Sequence, residues 1–295
     1  MPDYQKQTVQ WFPGHMAKTR RKIKESLSLV DAVVELTDAR VPLSSRNPEL
    51  DELTAGKPRI LILGKSDLAD ANATAAWLRW FRAQGIYALA ADCKSGRGLN
   101  EFEPLVRQAL AAKIASNEEK GMSGKALRLM VVGIPNTGKS SFINKITGRG
   151  KLAVADRPGV TRQNQWAVAG NGIELLDTPG VLWPKFDDPA VGDRLAFIGS
   201  VKEEVMDIET IAVRLLAVLK DHYADRLQER YKLTDDELQG EPYELLEAIG
   251  RHRGMLVRGG DVNTERAAGT LLDEYRGGKL GRITLEHPQR SDTNG

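Results

Sequence analysis

The chain has 295 residues, enough for two domains of ordinary size and for a substantial buried core. Hydrophobic residues make up 41% and charged residues 28%, a balance that excludes an intrinsically disordered chain. The single cysteine, Cys93, excludes an intrachain disulfide and favours a reducing compartment. No apolar run reaches the ~20 residues of a membrane span, and the first residues lack the apolar core of a signal peptide. We therefore expect a cytoplasmic protein that does not enter a membrane.

The formal net charge of +2 conceals an uneven distribution of charge along the chain. Residues 1–185 carry 27 basic and 18 acidic side chains, whereas residues 186–295 carry 15 basic and 22 acidic ones. Such asymmetry is typical of proteins that bind nucleic acid, but solvated helix faces that differ by chance explain it equally well.

Strand and helix patterns alternate between residues 16 and 180. Short apolar runs predict strands at Asp31–Leu36, Arg59–Leu63, Tyr87–Ala90, Leu127–Val132 and Ile173–Leu176. Helices are predicted at Met16–Leu29, which is basic, at Ala71–Gln84, at Leu99–Ile114 and from Lys139 onward. The polar, glycine-containing segment Ala115–Lys125 is predicted to be a linker. This alternation predicts an α/β fold with a mostly parallel, doubly wound sheet.

The pattern becomes purely helical after Pro184. Helices are predicted at Val205–Tyr223, Tyr243–Ile249 and Thr264–Tyr275, and the last begins at a possible N-cap, Asn263, and ends at a possible C-cap, Gly277. We therefore predict an α/β domain with a basic N-terminal segment over residues 1–184, an all-α domain over residues 185–284 and a flexible tail over residues 285–295.

The segment Gly133–Ser140 matches the phosphate-binding pattern G-x-x-x-x-G-K-[ST] in full. It follows a predicted strand and opens a predicted helix, which is the context that the pattern requires. Backbone N–H groups of such a loop surround phosphates, a lysine reaches the β- and γ-phosphates, and a serine hydroxyl binds Mg²⁺. The residues expected to contact a nucleotide are Asn136, Thr137, Gly138, Lys139, Ser140 and Ser141.

Two further segments point to the γ-phosphate and its metal. Asp177-Thr-Pro-Gly180 ends a predicted strand, where the carboxylate of Asp177 could hold Mg²⁺ and the Gly180 N–H could approach the phosphate. Thr161 lies in the loop between this segment and the phosphate-binding loop, where its hydroxyl could close on both Mg²⁺ and the phosphate. An ordinary loop threonine is the alternative interpretation.

The base-reading segments come earlier in the chain. Gly64-Lys-Ser-Asp67 follows a predicted strand, and Asp67 could accept hydrogen bonds from the ring N–H and the exocyclic amine of guanine, which adenine lacks as a pair. Lys65 could lie along the base, with Ser66 beside it. A second strand end, Ala91-Asp-Cys-Lys94, could offer the backbone N–H of Cys93 to the guanine carbonyl, with Asp92 and Lys94 on either side.

Together these five segments resemble the signature set of the circularly permuted GTPases, because the base-reading segments precede the phosphate-binding loop. The order is reversed in an ordinary small GTPase, and permutation is tolerated because domain termini often lie close together. Four segments are similar to bacterial members of this class that act in late assembly of the large ribosomal subunit: Trp11–Lys18, Asp38–Pro48, Asp177–Phe186 and Arg258–Gly281.

The resemblance implies a circularly permuted P-loop GTPase domain followed by an all-α domain that binds RNA or the ribosome. It implies GTP as the substrate, Mg²⁺ as a cofactor, and the precursor of the large ribosomal subunit, with its rRNA and ribosomal proteins, as the partner. The GTP state would control docking and release, and the chain would be a monomer away from the ribosome.

The resemblance also implies catalytic roles that the residues alone do not show. Val181 stands where many GTPases carry a glutamine that orients the attacking water, so another group has to do this. The family assigns a catalytic role to the histidine that corresponds to His15. The other residues expected to act in catalysis are Lys139, Thr161 and Gly180. Helix capping or RNA contact is the alternative for His15. An asparagine at position 136 implies assistance by K⁺, and a hydrogen bond that shapes the loop is its alternative.

Two positions depart from the family pattern. Gly64 stands where the base-reading motif usually begins with asparagine, which predicts weaker or less selective guanine binding. Asp92-Cys-Lys94 replaces a usual Ser-Ala-Lys, a milder change because the backbone donor at Cys93 is independent of the side chain.

Two groups of basic residues, one near the start of the chain and one in the predicted helical domain, are candidates for contact with RNA phosphates. They are Lys18, Arg20, Arg21, Lys22 and Lys24 near the start, and Arg251, Arg253 and Arg258 in the helical region. Solvated helix faces are the alternative for any one of them. A GTPase switch that acts on a protein partner without RNA contact and a metabolic phosphotransferase are the competing functions.

Overall fold

The computed structural model describes residues 21, 23–148, 166–178, 180, 188–201 and 207–288. The contacts between its Cα atoms divide the chain into two compact units. One unit spans Phe12–Pro184 together with the segment from Glu286 onward, and the other includes Lys185–Leu285. The chain therefore leaves the first unit at Pro184 and returns to it at Glu286.

A six-stranded sheet in the order β3-β2-β1-β4-β6-β5 forms the centre of the first unit. All neighbouring strands are parallel except β5 and β6. The strands are β1 (Ala32–Asp38), β2 (Arg59–Gly64), β3 (Tyr87–Ala91), β4 (Leu127–Gly133), β5 (Trp166–Ala169) and β6 (Ile173–Asp177). Every residue of β1 is buried, as expected for a central parallel strand that is covered on both faces.

Helices cover both faces of this sheet. They are α1 (Pro48–Leu53), α2 (Ala71–Ala83), α3 (Phe102–Ala109), α4 (Ala111–Glu119) and α5 (Lys139–Ile146), with a 3₁₀ turn at Leu99–Glu101 before α3. Phe102 and Phe142 meet edge to face on one side, and Trp77 stacks on Phe81 on the other. The doubly wound, mostly parallel architecture predicted from the sequence is therefore confirmed.

Two local predictions in this unit are wrong. The predicted helix Leu99–Ile114 is interrupted at Leu110, whose backbone is not helical (φ −109°, ψ 16°), and the chain then continues as α4 to Glu119. The first part of the predicted linker Ala115–Lys125 is consequently helical.

Strand β5 was not predicted, although Asn171 and Gly172 in the three-residue connection to β6 both have positive φ, a backbone conformation that is common in hairpin turns.

The second unit consists of helices, with one isolated β-bridge between Leu256 and Val262 in the described ranges 188–201 and 207–285. The helices are α6 (Pro189–Phe197), α7 (Ile208–Tyr231), α8 (Asp235–Gln239), α9 (Pro242–His252) and α10 (Thr264–Arg276). Helix α7 runs past its predicted end at Tyr223, where the backbone departs from helical geometry (φ −144°, ψ 36°). Asn263 caps α10 through its side chain, and Gly277 ends it, both as predicted.

Glu286 differs from what was expected of a flexible tail. Its side chain is buried, and its carboxylate accepts hydrogen bonds from the backbone of Leu43 (2.7 Å) and Ser44 (3.1 Å) and from the Ser44 hydroxyl. Its carbonyl oxygen accepts one from the indole Nε1 of Trp77 at 2.9 Å. At least this residue of the segment 285–295 is therefore fixed within the first unit. No described helix combines the length and apolarity needed to cross a bilayer.

Candidate nucleotide-binding site

The sheet register brings all the described motif segments to one edge. Asp38 pairs with Gly64, and Gly64 pairs with Ala91, so β1, β2 and β3 end together. On the other side of β1, Leu36 pairs with Gly133 of β4. Because Val131 pairs with Asp177, β6 ends beside the phosphate-binding loop. The carboxyl edge of a parallel sheet is where such folds bind ligands.

The phosphate-binding loop needs its glycines for two different reasons. A Cβ on Gly133 would lie 2.5 Å from the carbonyl oxygen of Leu36, so only glycine lets β4 end this close to β1. Gly138 is left-handed (φ 97°), and so is Asn136 (φ 62°). The hydroxyl of Thr137 donates to the carbonyl of Ile134 at 3.0 Å and closes the turn. The loop thus wraps around the N-terminus of α5, which favours bound anions.

Lys139, the first residue of α5, is folded back onto this loop. Its Nζ donates to the carbonyls of Gly133 (3.0 Å) and Ile134 (2.7 Å), and the residue is only 9% exposed. Burial lowers the pKa of Lys139 to about 8, although the nearby Asp177 acts in the opposite direction. Burial likewise raises the pKa of Asp177, and the charge of Lys139 opposes that rise. The Lys139 ammonium would therefore be stabilised by a bound phosphate, which would supply a second anion beside Asp177.

Binding of a nucleoside diphosphate should weaken as the pH rises through the pKa of Lys139. Because that pKa is lowered to about 8 in the nucleotide-free protein, the ammonium is lost above this pH unless a phosphate holds the proton. We expect roughly fourfold weaker binding at pH 8.5 than at pH 7, with net proton uptake on binding. Calorimetry in two buffers of different ionisation enthalpy measures both. An affinity that does not change over this interval, without proton uptake, would contradict the assignment.

Gly180 lies directly against the phosphate-binding loop. A Cβ there would be 2.9 Å from the backbone nitrogen of Pro135 and 3.0 Å from Nζ of Lys139. Thr178 fixes the segment by donating from its hydroxyl to the carbonyl of Val131 at 2.6 Å. A side chain at position 180 would therefore press against the phosphate-binding loop, so the close approach of the two segments requires glycine.

The oxygen ligands near this loop suit Mg²⁺. Ser140 and Asp177 are both exposed on the carboxyl edge of the sheet. Within the described residues, no group of three or more His, Cys, Asp or Glu side chains is arranged to hold a metal ion. Mg²⁺ does not need such a group, because it is commonly held by one or two protein oxygens together with phosphates and water. Thr161, the third expected ligand, lies outside the described residues.

The base-reading segment begins with two unusual backbone positions. A Cβ on Gly64 would lie 3.1 Å from the carbonyl oxygen of Thr37 and 3.2 Å from that of Thr137, so β2 meets the phosphate-binding loop through backbone alone. Lys65 is left-handed (φ 54°), and the Ser66 amide donates to the carbonyl of Ala91 at 3.3 Å. None of the described residues forms a hydrogen bond with the carboxylate of Asp67, which leaves it available to a base.

The second base-reading segment offers a backbone donor. The carboxylate of Asp92 accepts from the backbone N–H of Lys94 at 2.9 Å, so it shapes its own turn. The backbone N–H of Cys93 donates no hydrogen bond to any of the described residues. Burial raises the pKa of the Cys93 thiol to about 12, and the charges of Asp92 and Asp67 add to the rise. The thiol therefore stays neutral, and the backbone is the part of Cys93 that can recognise a base.

Sequence reasoning gave no role to Asp38, although it lies in the middle of the motif edge. It is fully buried at the end of β1, and its carboxylate pairs with Lys65 at 3.0 Å and with Arg40 at 2.8 Å. The available signal was an aspartate two residues after the predicted strand Asp31–Leu36, within one of the segments that carry the family resemblance.

The structure describes five of the proposed RNA-contacting residues. Arg21 and Lys24 are exposed, and Arg21 pairs with Glu25. Arg251, Arg253 and Arg258 are also exposed, and Arg251 pairs with Glu247. Arg253 in addition pairs with the buried Glu274 and lies over the ring of Tyr231. Arg253 therefore has a role inside the helical unit that is independent of RNA. The other three candidates, Lys18, Arg20 and Lys22, lie outside the described residues. His15 also lies outside them.

Comparison with known proteins supports the same interpretation. A protein-family profile described as 50S ribosome-binding GTPase matches residues 128–247. Ribosome biogenesis GTPase A of Bacillus cereus is 44% identical over 281 residues, covering 95% of this chain and 94% of the relative. The protein of the same name in Priestia megaterium is 45% identical over 286 residues, covering 97% and 99%. The GDP-bound structure of Thermotoga maritima YlqF is 28% identical with a TM-score of 0.67, covering 91% of this chain and all of that one.

Proposed function

This chain belongs to the ribosome biogenesis GTPase A family, and we propose that it binds the precursor of the large ribosomal subunit and promotes its late maturation. The GTP state controls docking and release. The observation that carries the proposal is the assembly of the four described GTPase segments at one sheet edge, in a chain that matches this family over 95% of its length. The chain acts as a cytoplasmic monomer until it meets the subunit.

Hydrolysis transfers the γ-phosphoryl group of GTP to water and leaves GDP on the protein. On binding, the Lys139 ammonium exchanges the carbonyls of Gly133 and Ile134 for β- and γ-phosphate oxygens. Bound Mg²⁺ would neutralise phosphate charge, held by Ser140, Asp177 and Thr161. The Gly180 N–H donates to the γ-phosphate and loses that acceptor when phosphate leaves. The helical unit begins at Lys185, a few residues after Gly180. We therefore expect the loss of the contact between Gly180 and the γ-phosphate to change the conformation of the segment that leads into the helical unit.

Binding to the large subunit should be strong with a non-hydrolysable GTP analogue and steeply dependent on salt. About four phosphate contacts predict an affinity loss of more than ~100-fold between roughly 50 and 200 mM monovalent salt. Co-sedimentation measures it. Arg258→Glu should reduce the salt slope, whereas Arg226→Glu, an exposed arginine within the acidic stretch 186–250, should not. A flat salt dependence, equal in both variants, would favour the alternative function, a GTPase switch on a protein partner.

His15 is proposed to orient the attacking water, because Val181 cannot do so. An imidazole can hold or accept a proton at neutral pH. His15→Ala should therefore leave GDP affinity unchanged and lower subunit-stimulated turnover by about 100-fold. His222→Ala, which removes an exposed histidine of α7, is the matched control. An unchanged stimulated rate in His15→Ala would remove this residue from the reaction.

A further inference from the structure

Asp38 is a buried carboxylate placed between the two halves of the nucleotide site. It is the last residue of β1, whose neighbours in the sheet are the base strand β2 on one side and the phosphate strand β4 on the other. Its side chain is completely buried. Burial acts to raise the pKa of Asp38, but the charges of Arg40 and Lys65 outweigh it and keep the carboxyl ionised.

The contacts of Asp38 fix the carboxylate from several directions. Arg40 donates from Nε (2.9 Å) and Nη2 (2.8 Å), one to each oxygen, and its backbone N–H donates at 3.1 Å. The backbone N–H of Asp38 itself donates to the Ser45 hydroxyl oxygen at 2.9 Å. Arg40 is also buried, at 1% exposure. The anion is therefore rigid, and among the described residues Lys65 is its one partly exposed partner, with 27% of its side chain accessible.

Lys65 occupies the position at which the chain turns from β2 toward Asp67. Its backbone is left-handed, a conformation that residues with a Cβ adopt only with support from their surroundings. The ion pair of 3.0 Å between its Nζ and Asp38 supplies such support. The Ala39 N–H adds a second link, since it donates to the carbonyl of Gly64 at 2.8 Å.

We propose that Asp38 is a positioning residue for guanine recognition. By holding the Lys65 ammonium at the end of β1, it sets the left-handed turn that presents the Lys65 stem to the base and aims the Asp67 carboxylate at the guanine edge. Asp38 itself does not touch the nucleotide. The role matters more in this chain because Gly64 offers no side chain to brace the same turn.

The competing explanation is that Asp38 only maintains the fold, as buried ion pairs do when one partner would be left unpaired. Glu35 provides a matched control for that effect. It lies on the same strand, is 2% exposed and pairs with two arginines, Arg46 and Arg59. Glu35 is located away from the carboxyl edge, so its replacement disturbs the fold without disturbing Lys65.

The test is a double-mutant cycle on GDP affinity, measured by titration with a fluorescent GDP analogue. Asp38→Asn and Lys65→Met should each lower the affinity by about tenfold, as loss of a charged contact does, and the double variant should bind no more weakly than either single one. Asp38→Asn should also lower the preference for GDP over ADP. Glu35→Gln should lower the melting temperature comparably and leave GDP affinity within about twofold.

Full additivity in the cycle, or an equal loss of affinity in Glu35→Gln, would overturn the proposal. If Asp38→Asn does not fold, Lys65→Arg and Lys65→Met decide the question. Both keep an aliphatic stem over the base, but only arginine keeps a cation for Asp38. Retained affinity in the arginine variant with loss in the methionine variant supports the proposal, and equal loss in both overturns it.

Discussion

Replacing Lys139 with alanine should abolish tight binding of GTP and GDP, with an affinity loss of at least about 1000-fold. Lys139 is buried in the phosphate-binding loop, where it donates to two backbone carbonyls that phosphate oxygens can replace. The nucleotide-free variant should be at least as stable as the parent, because burial opposes the charge of this lysine.

Titration with a fluorescent GDP analogue and a thermal melt together measure this prediction. Lys113→Ala is the control, since Lys113 is a half-exposed lysine of α4 that pairs with Asp31 at 3.5 Å, away from the motif edge. It should bind GDP like the parent. Binding by Lys139→Ala within tenfold of the parent would show that the loop does not recognise phosphate in the way described.

Asp67→Asn should lower GDP affinity by about 100-fold while improving binding of xanthosine diphosphate. In the proposed site the Asp67 carboxylate would accept from two adjacent donors of guanine, whereas an amide keeps one acceptor but presents a donor in place of the other. Xanthine carries a carbonyl where guanine has its amine, so it accepts from that new donor. The same fluorescence assay, run by competition with both nucleotides, measures the change.

Asp92→Asn separates the two aspartates of the base site. Because the Asp92 carboxylate is already used by the backbone N–H of Lys94, its loss should lower GDP affinity by less than about threefold. A larger effect in Asp92→Asn than in Asp67→Asn would reverse the assignment of the base-reading carboxylate.

Much of the candidate site could be predicted because its signals are local. A buried strand, a glycine-rich turn and a capped helix lie within a few residues of one another around Gly133, and each strand end carried its own polar motif. Parallel strands then bring those ends to one edge, so the motifs meet wherever they stand in the chain. This is why the permuted order did not obscure the site.

The features that could not be predicted depend on contacts between distant residues or on single backbone angles. Apolar spacing continues smoothly through Leu110 and gives no sign of the break between α3 and α4. Glu286 and Ser44 are 242 positions apart, and no local sequence pattern near either residue predicts the hydrogen bonds between them. The pairing of Asp38 with Lys65 likewise depends on the neighbouring positions of β1 and β2 in the sheet.

The most direct test of the central claim is the rate of GTP turnover with and without large ribosomal subunits, in K⁺ and in Na⁺. We expect slow intrinsic turnover, because Val181 cannot orient water, and strong stimulation by subunits in K⁺ with Asn136 as a ligand. Turnover in Na⁺ should stay low. A rate that large subunits do not change in either salt would contradict the claim that this GTPase acts on the large subunit.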